Sequence, residues 1–329
     1  MSINIGIIGL GKLGKKRFEL FRDIPKVGSI AFFDPTVKLF DSTPSVPTVD
    51  TLFSDQNIDA IVICTPNKQK INLINKAFES RKHIFCEKPP GMSYSEMSIL
   101  ESLHEANPDI KIQFGFNHRH LSNYRTLKKI VNSEKYGKPL WVRGIYGKGF
   151  DKTFFEEWRA DKILSGGGIF LDQGIHLLDM VLDLLGDLQV ENVLLDNVDN
   201  VRDIDINMFI HLRSHQGIPV SLHSSMLQWR HKLTMDVGTE EAIVGMDGIL
   251  SSTRSYGNEI IRIDKHWKNN FVESEINQYS NPDYYTFRKE CIDFTHSIIN
   301  DVPITNGTIK DAVKIMKLVD SIYLAGFKK

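Results

Sequence analysis

Cysteine is scarce: three residues in 329, Cys64, Cys86 and Cys291, with none of the paired spacing that a disulfide framework or a cysteine zinc site needs. Cys64 and Cys86 fall inside apolar, strand-like runs and read as small core residues. An excess of charge is also missing. Lys and Arg number 40 against 41 Asp and Glu, so no general pull toward nucleic acid or an anionic membrane is implied. No apolar run approaches the roughly 20 residues of a membrane span, and the chain enters a strand at once without a targeting segment. Internal repeats and low-complexity stretches are lacking too. These absences predict a cytoplasmic protein with no nucleic-acid or membrane partner, whose ligands are met at local sites. What is present is an ordinary 41% apolar content on a length that suits two modest domains.

The most informative local feature is the opening strand, Ile3 to Ile8, followed by Gly9-Leu10-Gly11-Lys12-Leu13-Gly14 and a helical stretch from Lys15 to Phe21. Gly9 suits a tight turn, Gly11 lets backbone approach a pyrophosphate, and Gly14 allows the helix to pack closely on the strand. The helix N-terminus then aims free amides and partial positive charge at the phosphates. A second apolar run ends at Phe32-Phe33-Asp34, about twenty residues on, where a carboxylate accepts hydrogen bonds from the adenosine ribose. A carboxylate there repels a 2'-phosphate, so the expected cofactor is NAD in preference to NADP.

The first 120 residues alternate β-rich runs (Ile3 to Ile8, Ile30 to Phe33, Ile58 to Cys64, His83 to Cys86, Ile110 to Phe114) with helical stretches. That alternation predicts an α/β domain with a doubly wound parallel sheet over residues 1–121. The turn-rich stretch Asp41 to Asp50, with Pro44 and Pro47, is too short for a linker. Beyond it, residues 122–329 read as an α+β domain. A helix from Tyr124 to Asn132 and a strand from Pro139 to Tyr146 lead to Gly166-Gly167-Gly168 and a helix to about Leu185. Strand candidates then follow one another near Leu188 to Leu195, Ile204 to Leu212, Ile218 to Leu227 and Leu233 to Val237, which implies a large, mainly antiparallel sheet. Two helices close the chain, with apolar stripes Phe287, Cys291, Phe294, Ile298 and Ala312, Ile315, Val319, Ile322, and with Thr308 and Asp311 placed as an N-terminal cap. An open sheet face left over predicts a homodimer or homotetramer built sheet against sheet.

Three further segments carry candidate chemistry. Thr65-Pro66-Asn67 and Glu87-Lys88-Pro89-Pro90 follow the third and fourth β-runs, where a doubly wound fold gathers its ligand. Lys88, just past an apolar strand, can orient a hydroxyl or exchange its proton; the plain alternative is a charged turn. Asp172-Gln173-Gly174-Ile175-His176 enters the helix after the triple glycine, and positions four apart share a helical face. His176 is thus a candidate acid/base group, against a solvated Asp/His surface pair. No metal site is expected, since His118 and His120 around Arg119 do not have a convincing ligand spacing.

In this order and at these separations the motifs resemble the glucose-fructose oxidoreductase/inositol dehydrogenase (Gfo/Idh/MocA) family, over nearly the whole chain. The resemblance implies an N-terminal Rossmann domain and a C-terminal domain for substrate binding and oligomerisation. It implies hydride transfer between nicotinamide and a secondary carbinol of a sugar, sugar derivative or cyclitol. It places catalysis on Lys88 and His176, and substrate contacts on Asp172, Asn117, Arg119 and Arg159. The cofactor would be held by Gly9, Gly11, Lys12, Leu13, Gly14, Asp34, Thr65, Pro66, Asn67, Glu87 and Lys88. Many members have a histidine where this chain has Lys70. The alternatives are a redox-neutral glycosidase of the same fold that retains NAD, and a non-catalytic NAD-binding regulator. Nucleotide-sugar substrates would need a diphosphate site, for which Arg119, Arg125, Arg159 and Arg230 are available cations.

Overall fold

A computed structural model describes residues 2–149, 152–197, 204–249, 256–265 and 274–326. The chain packs as two compact units, Met1–Asn117 with Thr286–Met316 and His118–Tyr285 with Lys317–Lys329.

The first unit begins with β1 (Ile3–Ile8), α1 (Lys12–Arg22), β2 (Val27–Phe33), a short hairpin of β3 (Leu39–Phe40) and β4 (Thr43–Pro44), and α2 (Val49–Ser54). It continues through β5 (Ala60–Ile63), α3 (Asn67–Glu79), β6 (His83–Glu87), α4 (Tyr94–Glu105) and β7 (Ile112–Gly115). The expected turn-rich insertion is the hairpin and the entry to α2. The sheet runs β2-β1-β5-β6-β7, every pair parallel. Strand order reverses between β1 and β5, so the carboxyl ends of these two strands, at Gly9 and Thr65, border the topological switch point where such sheets hold ligands. All four β5 residues are buried, as a strand covered on both faces requires.

In the second unit come α5 (Ser122–Asn132), β8 (Pro139–Gly149), α6 (Lys162–Ser165), α7 (Ile175–Leu185), β9 (Leu188–Asn197), β10 (Asp205–Ser214) and β11 (Pro219–Ser225). β12 (Leu227–Thr239), β13 (Ala242–Asp247), β14 (Glu259–Lys265) and β15 (Ser274–Tyr279) follow. The eight strands lie in the order β15-β14-β13-β12-β8-β11-β10-β9. All neighbours are antiparallel except β8 and β11. Along β10 the inward Met208, Ile210 and Leu212 are buried while Phe209, His211 and Arg213 face out. That alternation marks a sheet with one covered face and one open face. Phe209 lies flat on His223 of the neighbouring strand on the open side, ring centroids 4.0 Å apart.

Two helices end the chain, α8 (Tyr285–Ile299) and α9 (Ile309–Gly326). The single cut at 121/122 does not describe how they pack, because α8 and the start of α9 belong to the first unit. The physical reason is one buried arginine. Arg17 on α1 has no exposed surface, and its guanidinium bonds Glu87 at 2.7 Å, Glu290 at 2.5 Å and the Phe287 carbonyl at 3.0 Å. Phe294 completes this anchorage by meeting Phe21 and Phe85 edge to face. Cys86 and Cys291 are buried, whereas Cys64 is partly exposed. Thr308 caps α9 as its sequence predicts, its hydroxyl accepting from Asp311 N while Asp311 accepts from Thr308 N. Among the described residues no helix is long and apolar enough to cross a membrane.

Candidate functional site

Candidate residues lie in both units, and each group is built from its own elements. In the first, the three glycines have three distinct reasons to be glycine. Gly9 has φ +88°, and a Cβ there would stand 2.8 Å from the Cys64 carbonyl oxygen. A Cβ on Gly14 would stand 2.0 Å from the Gly9 carbonyl oxygen, so close packing of α1 on the turn excludes any side chain. A Cβ on Gly11 would meet nothing within 4 Å. The space beside Gly11 is therefore open, next to a helix start that has no side-chain cap. Uncapped first-turn amides and the positive end of the helix dipole make this an anion site.

Asp34 is buried at the end of β2 and has structural duties the sequence did not announce. Its carboxylate accepts from Leu10 N at 2.7 Å, Thr36 N and Oγ1 at 2.8 Å each, and Val37 N at 2.9 Å. Burial works against its charge, but the donors at Leu10, Val37 and Thr36 outweigh burial and hold the carboxyl below its usual range. Beyond the expected ribose contact, then, Asp34 ties the glycine turn to β2. Pro66 precedes α3, Asn67 is buried in its first turn, and the buried Thr65 hydroxyl has no partner among the described residues.

The turn after β6 begins at Glu87, which is buried. Its carboxylate is taken up by Arg17, which ties the side chain to the core beside the cofactor contact expected of this residue. Two carboxylates share one guanidinium here; burial, opposed by Arg17 and reinforced by Glu87, pushes Glu290 upward. Lys88 is half-buried, and its peptide bond to Pro89 is cis. Lys70 is fully buried and donates to the carbonyls of Glu87 and Pro89, both at 2.8 Å. Asn117 is buried too and donates to Thr286 Oγ1 at 3.0 Å.

In the second unit the triple-glycine turn is pinned by Asp205, whose carboxylate accepts from Gly168 N and Phe170 N at 2.7 Å each and from the Tyr323 hydroxyl at 2.7 Å. A Cβ on Gly168 would lie 1.9 Å from the Asp205 carbonyl oxygen. The chain then passes through one π-helical turn, Phe170–Gly174, before the α-helix starts at Ile175. Asp172 sits in the π turn and His176 in the first turn of α7, in place of the continuous α-helical face expected.

His176 is 4% exposed and stacks on His118 with ring centroids 3.8 Å apart. His118 Nε2 lies 3.2 Å from the Tyr146 hydroxyl. Tyr256 receives a hydrogen bond from Gln173 Nε2 at 2.9 Å and stacks on His231 at 4.7 Å. Burial, helped by the charge of Asp172, pushes both phenols up, Tyr256 to about 12. Asp172 lies between two cations, Lys148 at 3.3 Å and the half-exposed Arg159 at 3.7 Å. The arrangement offers a buried imidazole for proton exchange and, four residues before it in the chain, a carboxylate paired with two cations, groups that can bind hydroxyls. Arg119, expected to contact substrate, also has carboxylate partners within its own unit. It forms a bidentate pair with Asp179, at 2.6 and 2.8 Å, and lies 3.7 Å from Asp183, which makes it a brace for α7.

His118, Tyr146, Lys148 and Lys70 were missed by sequence reasoning as site residues. A signal existed for two of them: extending the β8 alternation past Tyr146 puts Lys148 on the same face.

Residues 3–115 match the oxidoreductase family with the NAD-binding Rossmann fold, GFO_IDH_MocA, and residues 124–251 match the GFO/IDH/MocA C-terminal domain. An uncharacterized oxidoreductase of Bacillus subtilis is 31% identical over 193 residues, 56% of this chain and 54% of that protein. The myo-inositol 2-dehydrogenase of Thermotoga maritima is 29% identical over 202 residues, 59% of this chain and 58% of that one. The chain thus spans little more than half the length of these curated relatives. Among solved structures, levoglucosan dehydrogenase in complex with NADH and levoglucosan superposes with a TM-score of 0.85 over 100% of this chain and 98% of that one, at 19% identity, which shows a shared fold.

Proposed function

The chain belongs to the GFO/IDH/MocA oxidoreductase family, and from that premise we propose that it is an NAD-dependent dehydrogenase or reductase acting on a secondary carbinol of a sugar, sugar derivative or cyclitol. The observation that carries the reading is the buried His176, stacked on His118 at the start of α7, in the domain matched to the family's C-terminal half.

The residues of the first unit fit the cofactor. The open space beside Gly11, the uncapped start of α1 and the ionised Asp34 match a pyrophosphate and a ribose. Gly9, Gly11, Lys12, Leu13 and Gly14 would hold the phosphates, and Thr65, Pro66 and Asn67 the stretch beyond them. The dinucleotide supplies the hydride acceptor or donor at its nicotinamide. The charge on Asp34 favours NAD over NADP.

In the oxidation direction the role proposed for His176 is to accept the hydroxyl proton, and that for Lys88 is to orient a substrate hydroxyl. Asp172, held between Lys148 and Arg159, accepts from neighbouring substrate hydroxyls. Reduction runs the same proton back from His176. Help of this kind is worth on the order of 100- to 10,000-fold. The open face of the eight-stranded sheet, with Leu194 and Phe209 exposed, supports a homodimer or homotetramer. Sedimentation as a monomer would remove that part of the reading.

The test is direct. The purified protein is titrated with NAD and NADP, then mixed with free sugars, inositols and nucleotide sugars while reduced nicotinamide absorbance is followed. Formation of NADH with one carbohydrate class is the expected result. Tight NAD binding with no net reduction by any of them overturns it.

A further inference from the structure

We propose that Lys70 is a positioning residue for Lys88, fixing the backbone from which that lysine works; the proposal deepens the dehydrogenase reading and rests on it. Lys70 lies on α3 with 1% of its surface exposed, and its ammonium donates to the carbonyls of Glu87 and Pro89, both at 2.8 Å. These two carbonyls bracket Lys88.

A buried ammonium is an expensive way to fill space, because removing the charge from water is unfavourable unless strong hydrogen bonds replace it. The loss of solvent is felt by Lys70 itself, whose affinity for its proton falls until it titrates near 8. Methionine would occupy the same volume without that penalty, so packing alone does not explain a lysine here. The second anchor of the turn is also a buried cation: Arg17 holds the Glu87 carboxylate at 2.7 Å. Arg17 thus fixes the side chain of Glu87, while Lys70 fixes the main chain on either side of Lys88. A reacting group must be held to within about 0.5 Å, and a misplacement of about 1 Å can cost on the order of 100-fold in rate.

The experiment uses the full-length protein with NAD present and does not need the substrate. Lys88 is acylated with an amine-directed reagent at fixed pH, and its labelling is followed by peptide mass spectrometry, with Lys12 and Lys148 as internal references. In Lys70→Met the Lys88 rate is expected to change by about threefold or more while the reference rates hold. Lys70→Gln, which keeps a donor at the site, should give an intermediate rate, and it serves as the test if the methionine variant does not fold. Lys88 labelled at the wild-type rate in these variants overturns the proposal. Where turnover is measurable, Lys70→Met should lower kcat by about 10- to 100-fold with KM and the Kd for NAD retained. The same substitution in a Lys88→Met background should then cost almost nothing more; an equal loss in both backgrounds overturns the positioning role. Altered labelling without turnover on any carbohydrate would retain Lys70 in this role and reject the dehydrogenase.

Discussion

The imidazoles of His118 and His176 lie face to face, 3.8 Å between centroids and 21° between planes. His118 is in turn fixed by the Tyr146 hydroxyl at 3.2 Å. The ring of His176 is therefore oriented from one side by a neighbour that is itself anchored. His176→Ala should lower kcat by about 100- to 10,000-fold with NAD affinity unchanged. His118→Ala should cost about tenfold by freeing the ring, since orientation and not proton transfer is lost. Steady-state kinetics beside an NAD titration checks both, and full turnover in His176→Ala removes it from acid/base duty.

Gly11 and Gly14 should respond in opposite ways. Gly11→Ala points its methyl into open space, so thermal stability should hold while NAD binding weakens by about tenfold or more, the equivalent of about 1.4 kcal/mol. Gly14→Ala drives a methyl against the Gly9 carbonyl oxygen and should cost about 3 kcal/mol or more in folding. Melting curves paired with NAD titration separate the two, and a stable Gly14→Ala protein would contradict the packing.

Removing Arg17 strands two carboxylates in the core. Arg17→Met should destabilise the protein by about 3–5 kcal/mol, and adding Glu290→Gln should recover part of the loss. Denaturant unfolding of the single and double variants measures it, and identical stabilities would show that Glu290 is already neutral once Arg17 is removed.

The sign of one pH dependence follows from Lys70. Burial lowers its pKa from 10.5 to about 8 in the folded chain, opposed by the charges of nearby acidic groups and reinforced by Lys88. Between those values the unfolded chain binds the extra proton, so this residue adds stability as pH rises through that window, by up to about 3 kcal/mol. Relative to Lys70→Met, the wild-type protein should gain stability between about pH 8 and about pH 10.5 in urea unfolding. Parallel curves would rule out the shift.

The cap of α9 makes a smaller claim. Thr308→Ala removes the acceptor for Asp311 N and should cost about 1 kcal/mol, read as a lower melting temperature. No change would mean that the helix end is held by packing alone.

What was readable in the sequence is what depends on short spacing. The glycine triplet and the Thr308 and Asp311 cap each span only a few residues, and local geometry dictates them, whereas the Asp172 to His176 segment, expected to be α-helical, contains a π turn. Lys70 was not readable, because its partners are main-chain carbonyls 17 and 19 residues away that every sequence possesses. Arg17 meets Glu290 across 273 residues, a separation no periodicity reports. β15, with Ser274, Glu275, Asn277 and Gln278 among its six residues, is mostly polar and edges the sheet, so it lacks the apolar alternation that announces a strand. The parallel β8 and β11 pair escaped for a related reason: consecutive strands suggest antiparallel neighbours, while β8 joins a strand reached only after β9 and β10.

The salt-linked arginine also sets a timetable. Residues 1–117 emerge from the ribosome with Arg17 made and Glu87 made, yet Glu290, the Phe287 carbonyl and Phe294 are still to be synthesised. The packing around Arg17 therefore cannot be completed in the order in which the first unit is translated. Until Glu290 is made, Arg17 has only Glu87 of its two carboxylate partners.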